Sequence, residues 1–159
     1  MEQPKRDRFT NSTQRGYGNS GFNGNNSPRE NATSVFANLA YNSEWIKNGA
    51  TPQMVKFAED AGKFMGQNEL SSSKIRSIYG EIKRIQMGEY EKEKSSFYLL
   101  KPKVAYALGR EKNNEGLKLF KLIFDRCYND VVDQKSYLNF CNFIEAILAY
   151  HKAYKKGND

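Results

Sequence analysis

Isoleucines stand at positions 75, 78, 82 and 85, with Tyr79 among them. Steps of three and four residues are the period of one face of an α-helix and cannot serve a strand, whose faces alternate every second residue. The same spacing returns twice downstream. Leu117, Phe120, Ile123, Phe124 and Cys127 mark a helix expected from Asn114 to about Val131. Tyr137, Leu138, Cys141, Ile144 and Leu148 mark another, from Asp133 or Gln134 to about Lys155. Upstream, Val55, Phe57, Ala58, Ala61, Phe64 and Met65 keep the period through roughly Gln67. Thr51-Pro52 opens that helix, because a threonine hydroxyl can accept a free N–H and proline suits the first helical position. No segment alternates apolar and polar residues between turn signals. The expected fold is therefore all-α, a compact bundle of about five helices.

Two intervals are harder to place. Val35, Phe36, Leu39, Tyr41, Trp45 and Ile46 form an apolar cluster that predicts short helical turns, ended at Asn48-Gly49. After Gly88, a charged connector EYEKEK and the short run Phe97 to Leu100 precede Pro102. Pro102 is expected to open a helix with Val104, Ala105 and Leu108 inward.

Residues 1–34 are a different material. They contain no Leu, Ile or Val and are rich in Asn, Gly and Ser. Ordering a residue opposes folding by about 1–2 kcal/mol of backbone entropy, which such a segment cannot offset by burial. The expected organisation is a disordered tail over 1–34 and a helical-bundle domain over 35–159. Arg15, Tyr17 and Phe22 lie among glycines, as in flexible RNA-binding tails. A tail that only solubilises is the simpler reading, and both stand at this point.

The chain has 159 residues, enough for one domain, with 25 Lys and Arg against 18 Asp and Glu, a formal net charge of +7. That excess calls for an anionic partner or an acidic neighbour. No apolar run nears the ~20 residues of a membrane span. The N-terminus lacks the apolar stretch of a secretory signal. The expected location is cytoplasmic. Cys127 and Cys141 are the only cysteines, both at apolar positions of a helical pattern, and read as buried thiols. With one histidine, His151, neither a zinc cluster nor a two-histidine ribonuclease can be assembled. There is no phosphate-binding glycine loop and no nucleophile elbow. Neither an enzyme nor a cofactor is expected. His151 reads either as a half-buried amphipathic side chain or as a stacking or phosphate contact.

The charge is patterned. Arg76 and Lys83 are seven residues apart, as are Lys103 and Arg110. Seven residues is two helical turns, so each pair projects from nearly one side, beside the apolar stripe. Gly80 lies between the first pair and Ala107 between the second. A glycine there admits either a neighbouring helix or a ligand at close range. Rigid cationic ridges suit the repeating charge of a nucleic-acid backbone. Lys152, Lys155 and Lys156 are better explained by the dipole of the helix they end.

Two blocks carry a family resemblance. SSSKIRSIYGEIKRI (71–85) and LLKPKVAYALGR (99–110), with a last helix FIEAILAYHKAY, resemble the small subunit of the type III-A CRISPR effector (Csm) complex. The likeness covers about residues 50–155 and leaves the tail outside it. It implies a compact, non-catalytic helical bundle that stacks along the complex. Its partners would be CRISPR RNA and target RNA, the backbone subunits, the large polymerase-like subunit and copies of itself. By matching position, it makes Lys74, Arg76, Lys83, Arg84, Lys101, Lys103 and Arg110 candidate RNA-contacting residues. Lys74 falls on the opposite flank of its helix from Arg76. The alternative is a structural spacer or protein-interaction subunit, whose ridges meet acidic protein instead of RNA.

Overall fold

The structure is a computed structural model and is described over residues 29–68 and 70–157. Seven helices follow one another: α1 (Ala32–Asn38), α2 (Glu44–Asn48), α3 (Pro52–Gln67), α4 (Ser72–Gln86), α5 (Tyr90–Arg110), α6 (Glu115–Tyr128) and α7 (Gln134–Tyr154). The class is all-α, with no strand among the described residues. The helix count corrects the expected five. The additional two are α1 and α2, which the sequence shows only as one apolar cluster.

α1 has its own start signal. Asn31 Oδ1 accepts from the Ser34 N–H at 2.9 Å, and Ser34 Oγ accepts from the Asn31 N–H at 3.3 Å. This reciprocal cap places ordered structure inside the interval assigned to the tail. The tail positions Arg15, Tyr17 and Phe22 lie outside the described residues. Thr51 caps α3 as expected, its Oγ1 accepting from the Met54 N–H at 3.2 Å. Asn114 caps α6 and Asp133 caps α7 in the same way.

α5 differs most from the sequence reading. The charged connector is its first turn, and Pro102 sits inside it. Glu91 and Glu93 lie in that first turn, where the helix dipole favours negative charge. Tyr90, Phe97, Leu100 and Val104 all turn into the core, so burial along one stripe outweighs the lost hydrogen bond. Pro102 and Tyr98 are both exposed, so water can satisfy the carbonyl of residue 98 that Pro102 leaves without a donor. Val55, Ala105 and Leu138, expected inward, face solvent.

α7 is the axis of the bundle. Phe57 meets Phe143, while Gly62 lies against residues 147–151 and Gly66 against 151–155, so α3 and α7 run side by side in one direction. α4 runs the other way along α7, with Tyr137 opposite Ile82 and His151 opposite Leu70. The two short helices are tied down by polar contacts. The Ala32 N–H donates to Glu115 Oε2 at 2.7 Å, and Asn139 Nδ2 donates to the Ile46 carbonyl at 2.9 Å. Two aromatic clusters fill the core. Tyr41, Trp45, Phe57 and Phe143 form one, and Tyr90, Phe97, Tyr128, Tyr137 and Phe140 are prominent in the other. The Tyr137 hydroxyl, fully buried, donates to the Ile82 carbonyl at 2.7 Å. Cys127 and Cys141 are buried free thiols, as expected. Burial pushes Cys127 well above the usual thiol range and Cys141 up to about 11.

Two glycines in adjacent helices have opposite surroundings. A Cβ at Gly62 would lie 2.6 Å from the Ile147 carbonyl oxygen and 2.7 Å from the His151 amide nitrogen. Neither is a flexible side-chain end, so the helices would have to separate. Nothing lies within 4 Å of a Cβ placed at Gly80. Gly62→Ala is therefore expected to lower stability by about 2 kcal/mol or more. Gly80→Ala should raise it by up to ~1 kcal/mol through helix propensity alone. Urea unfolding midpoints of the two variants, measured side by side, check both signs.

Candidate nucleic-acid interface

The seven candidate cations sit on α4 and α5, which the turn after Gln86 folds into an antiparallel pair. On α4 the buried stripe is Ile75, Ile78, Ile82 and Ile85. One flank, with Arg76, Tyr79 and Lys83, turns toward α7. The other, with Lys74, Ser77 and Glu81, turns toward α5. Between the flanks the outer surface is low, because Gly80 has no side chain and no neighbour there. The helix-packing reason for that glycine is thus removed.

Each cation has a different setting. Arg76 is exposed and makes no ion pair or hydrogen bond among the described residues. Lys83 Nζ lies 2.9 Å from Glu145 Oε2 on α7 and 5.5 Å above the Tyr79 ring. The Arg84 guanidinium forks onto Glu81, with contacts of 3.0 and 3.2 Å, and reaches Glu93 at 3.3 Å. Lys103 Nζ stands 3.3 Å from the same Glu81. Lys74 pairs with Glu111 at the far end of α5. The Arg110 guanidinium lies 5.9 Å over the ring of Tyr106. Lys101 points away from these, with its ammonium 5.4 Å over the Tyr128 ring of α6.

Four of the seven therefore meet carboxylates of their own chain, but none is buried. The side chains of Lys83, Arg84 and Lys103 keep 38%, 49% and 52% of their exposure. Exposed pairs of this kind contribute about 0–1 kcal/mol, so a phosphate oxygen can replace the carboxylate at little loss. Glu81 is the acid shared by both helices. The Arg84 fork first, then Lys103, holds its carboxyl below the usual carboxylate range, and Lys83 does the same for Glu145.

Lys103, Ala107 and Arg110 share one stripe as the spacing predicts, and that stripe walls a groove of about 730 Å³ between α4 and α5. Lys74 closes it from α4. The sequence placed Lys74 across α4 from Arg76, and the structure agrees. His151 leaves the group of phosphate-contact residues. It is 3% exposed, and its Nε2 lies 2.9 Å from the Leu70 carbonyl oxygen. The groove and the Glu145 partner of Lys83 were missed from sequence. The Glu81–Arg84 pair was not read from sequence either, although its three-residue spacing on one helix is a local signal that could have shown it. The Lys83–Glu145 pair bridges 62 residues and has no local signal.

Among the described residues, no group of three or more His, Cys, Asp or Glu could hold a metal ion, and no helix is long and apolar enough to cross a membrane. A family model described as Csm2 Type III-A matches residues 49–157, more than half of the chain. No curated protein and no solved structure shows a match to it.

The carboxylates predict an acid response. Glu81 and Glu145 titrate below their ordinary value near 4.5 when folded. The unfolded chain thus binds more protons in that range, and stability falls as pH falls through the folded-state values. The pairs contribute fully above about pH 4.5 and are lost progressively below it. The double variant Glu81→Gln/Glu145→Gln should show a shallower fall below about pH 4.5 than the parent, by urea midpoints at each pH.

Proposed function

Since the chain belongs to the Csm2 Type III-A family, and is thereby a small subunit of a type III-A CRISPR effector complex, we propose that it lays its α4 and α5 cations against RNA. In this reading it is a non-catalytic member that stacks along the complex beside the backbone subunits and copies of itself. It contacts target RNA and the guide–target duplex. Lys and Arg neutralise phosphates without reading bases, and pairing with the guide supplies specificity. One subunit binds weakly, and several in a row gain through effective concentration.

The observation that carries this reading is the exposed ridge Arg76–Gly80–Lys83. Arg76 has no counter-ion among the described residues, and the surface between the two cations is bare. Exposed cations without an ion pair among the described residues also occur at Lys112 and Lys135, so what favours RNA here is the pairing of Arg76 with Lys83 across a bare surface. The domain assignment is proposed on the same footing, a Gly/Asn-rich tail followed by the RNA-contacting bundle, with the start of α1 at Asn31 and Ala32 belonging to the bundle.

A second reading, a spacer that meets protein, has one observation in its favour. Tyr98 and Leu99 on the outer side of α5 are 54% and 57% exposed. Apolar residues on several sides of a helix suit burial against a neighbour. Crosslinking separates the two: RNA adducts from α4 favour the first, protein-only adducts the second.

In the assembled complex, Arg76→Ala/Lys83→Ala should weaken target-RNA binding about tenfold, ~1.4 kcal/mol. The salt dependence should fall by about 1.4 in the log–log slope, since the variant neutralises two fewer single-strand phosphates. Glu145 gives up a surface partner, so stability should change by less than about 1 kcal/mol. Filter binding across a salt series, with thermal melts of the variant, measures all three. An unchanged affinity and slope would count against RNA contact at this ridge.

A further inference from the structure

The groove between α4 and α5 has a make-up that backbone contact alone does not explain. Its volume is about 730 Å³, within the range of small-ligand sites. Its floor is apolar, formed by Ile78 and Ala107, and Leu99 and Pro102 continue it up the α5 wall. Tyr106 stands at the rim, 67% exposed, on a helix whose inner stripe is already full. Lys103 lies three residues before Tyr106 and Arg110 four after it. The aromatic ring therefore has a cation about one helical turn away on each side. Arg110 is also placed over the ring itself, at 5.9 Å. Lys74, paired with Glu111, adds a third cation from the opposite wall, and Glu81 is the one carboxylate among the lining residues.

A nucleotide in a single strand has the complementary order: a flat base with a phosphate on either side. Bases stack on tyrosine rings and on guanidinium planes, and this stacking tolerates any sequence. We propose that this groove seats one unpaired nucleotide of single-stranded RNA, its base on Tyr106 over the Leu99 and Pro102 wall and its flanking phosphates on Lys103 and Arg110. The assignment rests on the RNA reading above and adds to it a site that distinguishes unpaired from paired strands. An A-form duplex keeps its bases stacked inside and cannot place one on Tyr106. The chain's own residues 1–28 carry four Lys and Arg against two Asp and Glu, and so are a poor occupant for a cationic groove.

The test compares three labelled probes on the full chain by fluorescence anisotropy: an oligoadenylate, the same length of abasic ribose-phosphate, and a blunt RNA duplex. The oligoadenylate should bind about tenfold tighter than the abasic strand, the size of one base–aromatic stack. Tyr106→Ala should erase that ratio and leave abasic affinity and salt slope within twofold. Tyr106→Phe should preserve the ratio. The duplex should be insensitive to both. Tyr106 is exposed, so an unchanged melting temperature confirms that the variants fold. Equal affinity for oligoadenylate and abasic strand, or a ratio that survives Tyr106→Ala, overturns the seat while leaving phosphate contact at Arg76 and Lys83 intact. No binding to any probe, together with wild-type target binding by a complex carrying Tyr106→Ala, also overturns it. A photoreactive residue at Leu99 in the assembled complex should give RNA adducts. Protein adducts alone would mean that a neighbouring subunit fills the groove, and the proposal fails.

Discussion

Where α3 lies along α7, no side chain separates the two backbones at Gly62. Even a methyl group there would reach the Ile147 carbonyl and the His151 amide. That contact sets how closely α3 and α7 approach. With α3 so close, Phe57 meets Phe143 and the Trp45 ring fits beside them. α7 then offers its remaining sides to α4 and α6. The Tyr137 hydroxyl reaches the Ile82 carbonyl near the end of α4, and the His151 ring meets the Leu70 carbonyl just before its start, so the helix is held to the same axis on both sides. α4 is thereby seated on α7, and α5 is folded back against it.

That seating matters because the cations on this pair are sorted by the helix flank that bears them. One ridge leans toward α7 and is shared with Glu145. The other faces across the groove and is shared with Glu81. For Lys74, Lys83, Arg84 and Lys103 a neighbouring carboxylate keeps the ammonium or guanidinium in place before any polyanion arrives, which lowers the ordering entropy of binding. The same carboxylate is a weak competitor at an exposed site, so it does not block exchange. Arg76, Lys101 and Arg110 make no ion pair with a carboxylate among the described residues, so they are the cations from which exchange requires least.

Periodicity revealed most of this architecture, and its failures share a cause. The stripes of α4, α6 and α7 were legible because three- and four-residue steps are local. α1 was not, since its cap residues Asn31 and Ser34 lie in a composition that argues for disorder. α5 was misplaced because Pro102 is a strong local breaker, and only the burial of Tyr90 and Phe97 against distant helices carries the helix through it. Four candidate cations were correctly expected in two ridges, since a seven-residue spacing fixes their side of the helix. Their counter-ions were not all legible, because an ion pair between α4 and α7 depends on how helices pack and leaves no trace in spacing. The groove is of the same kind: it exists only once α4 and α5 are laid together.

The two thiols have a practical consequence. Cys127 and Cys141 are the whole cysteine complement of the chain, and both are enclosed by packed side chains. Thiolate is the reactive form, and burial suppresses it at both positions. The folded protein is thus expected to react slowly with maleimides. A single cysteine introduced on the outer face of α4 or α5 would be the sole point of attachment for a dye or spin label, without any need to strip the native sulfur from the core.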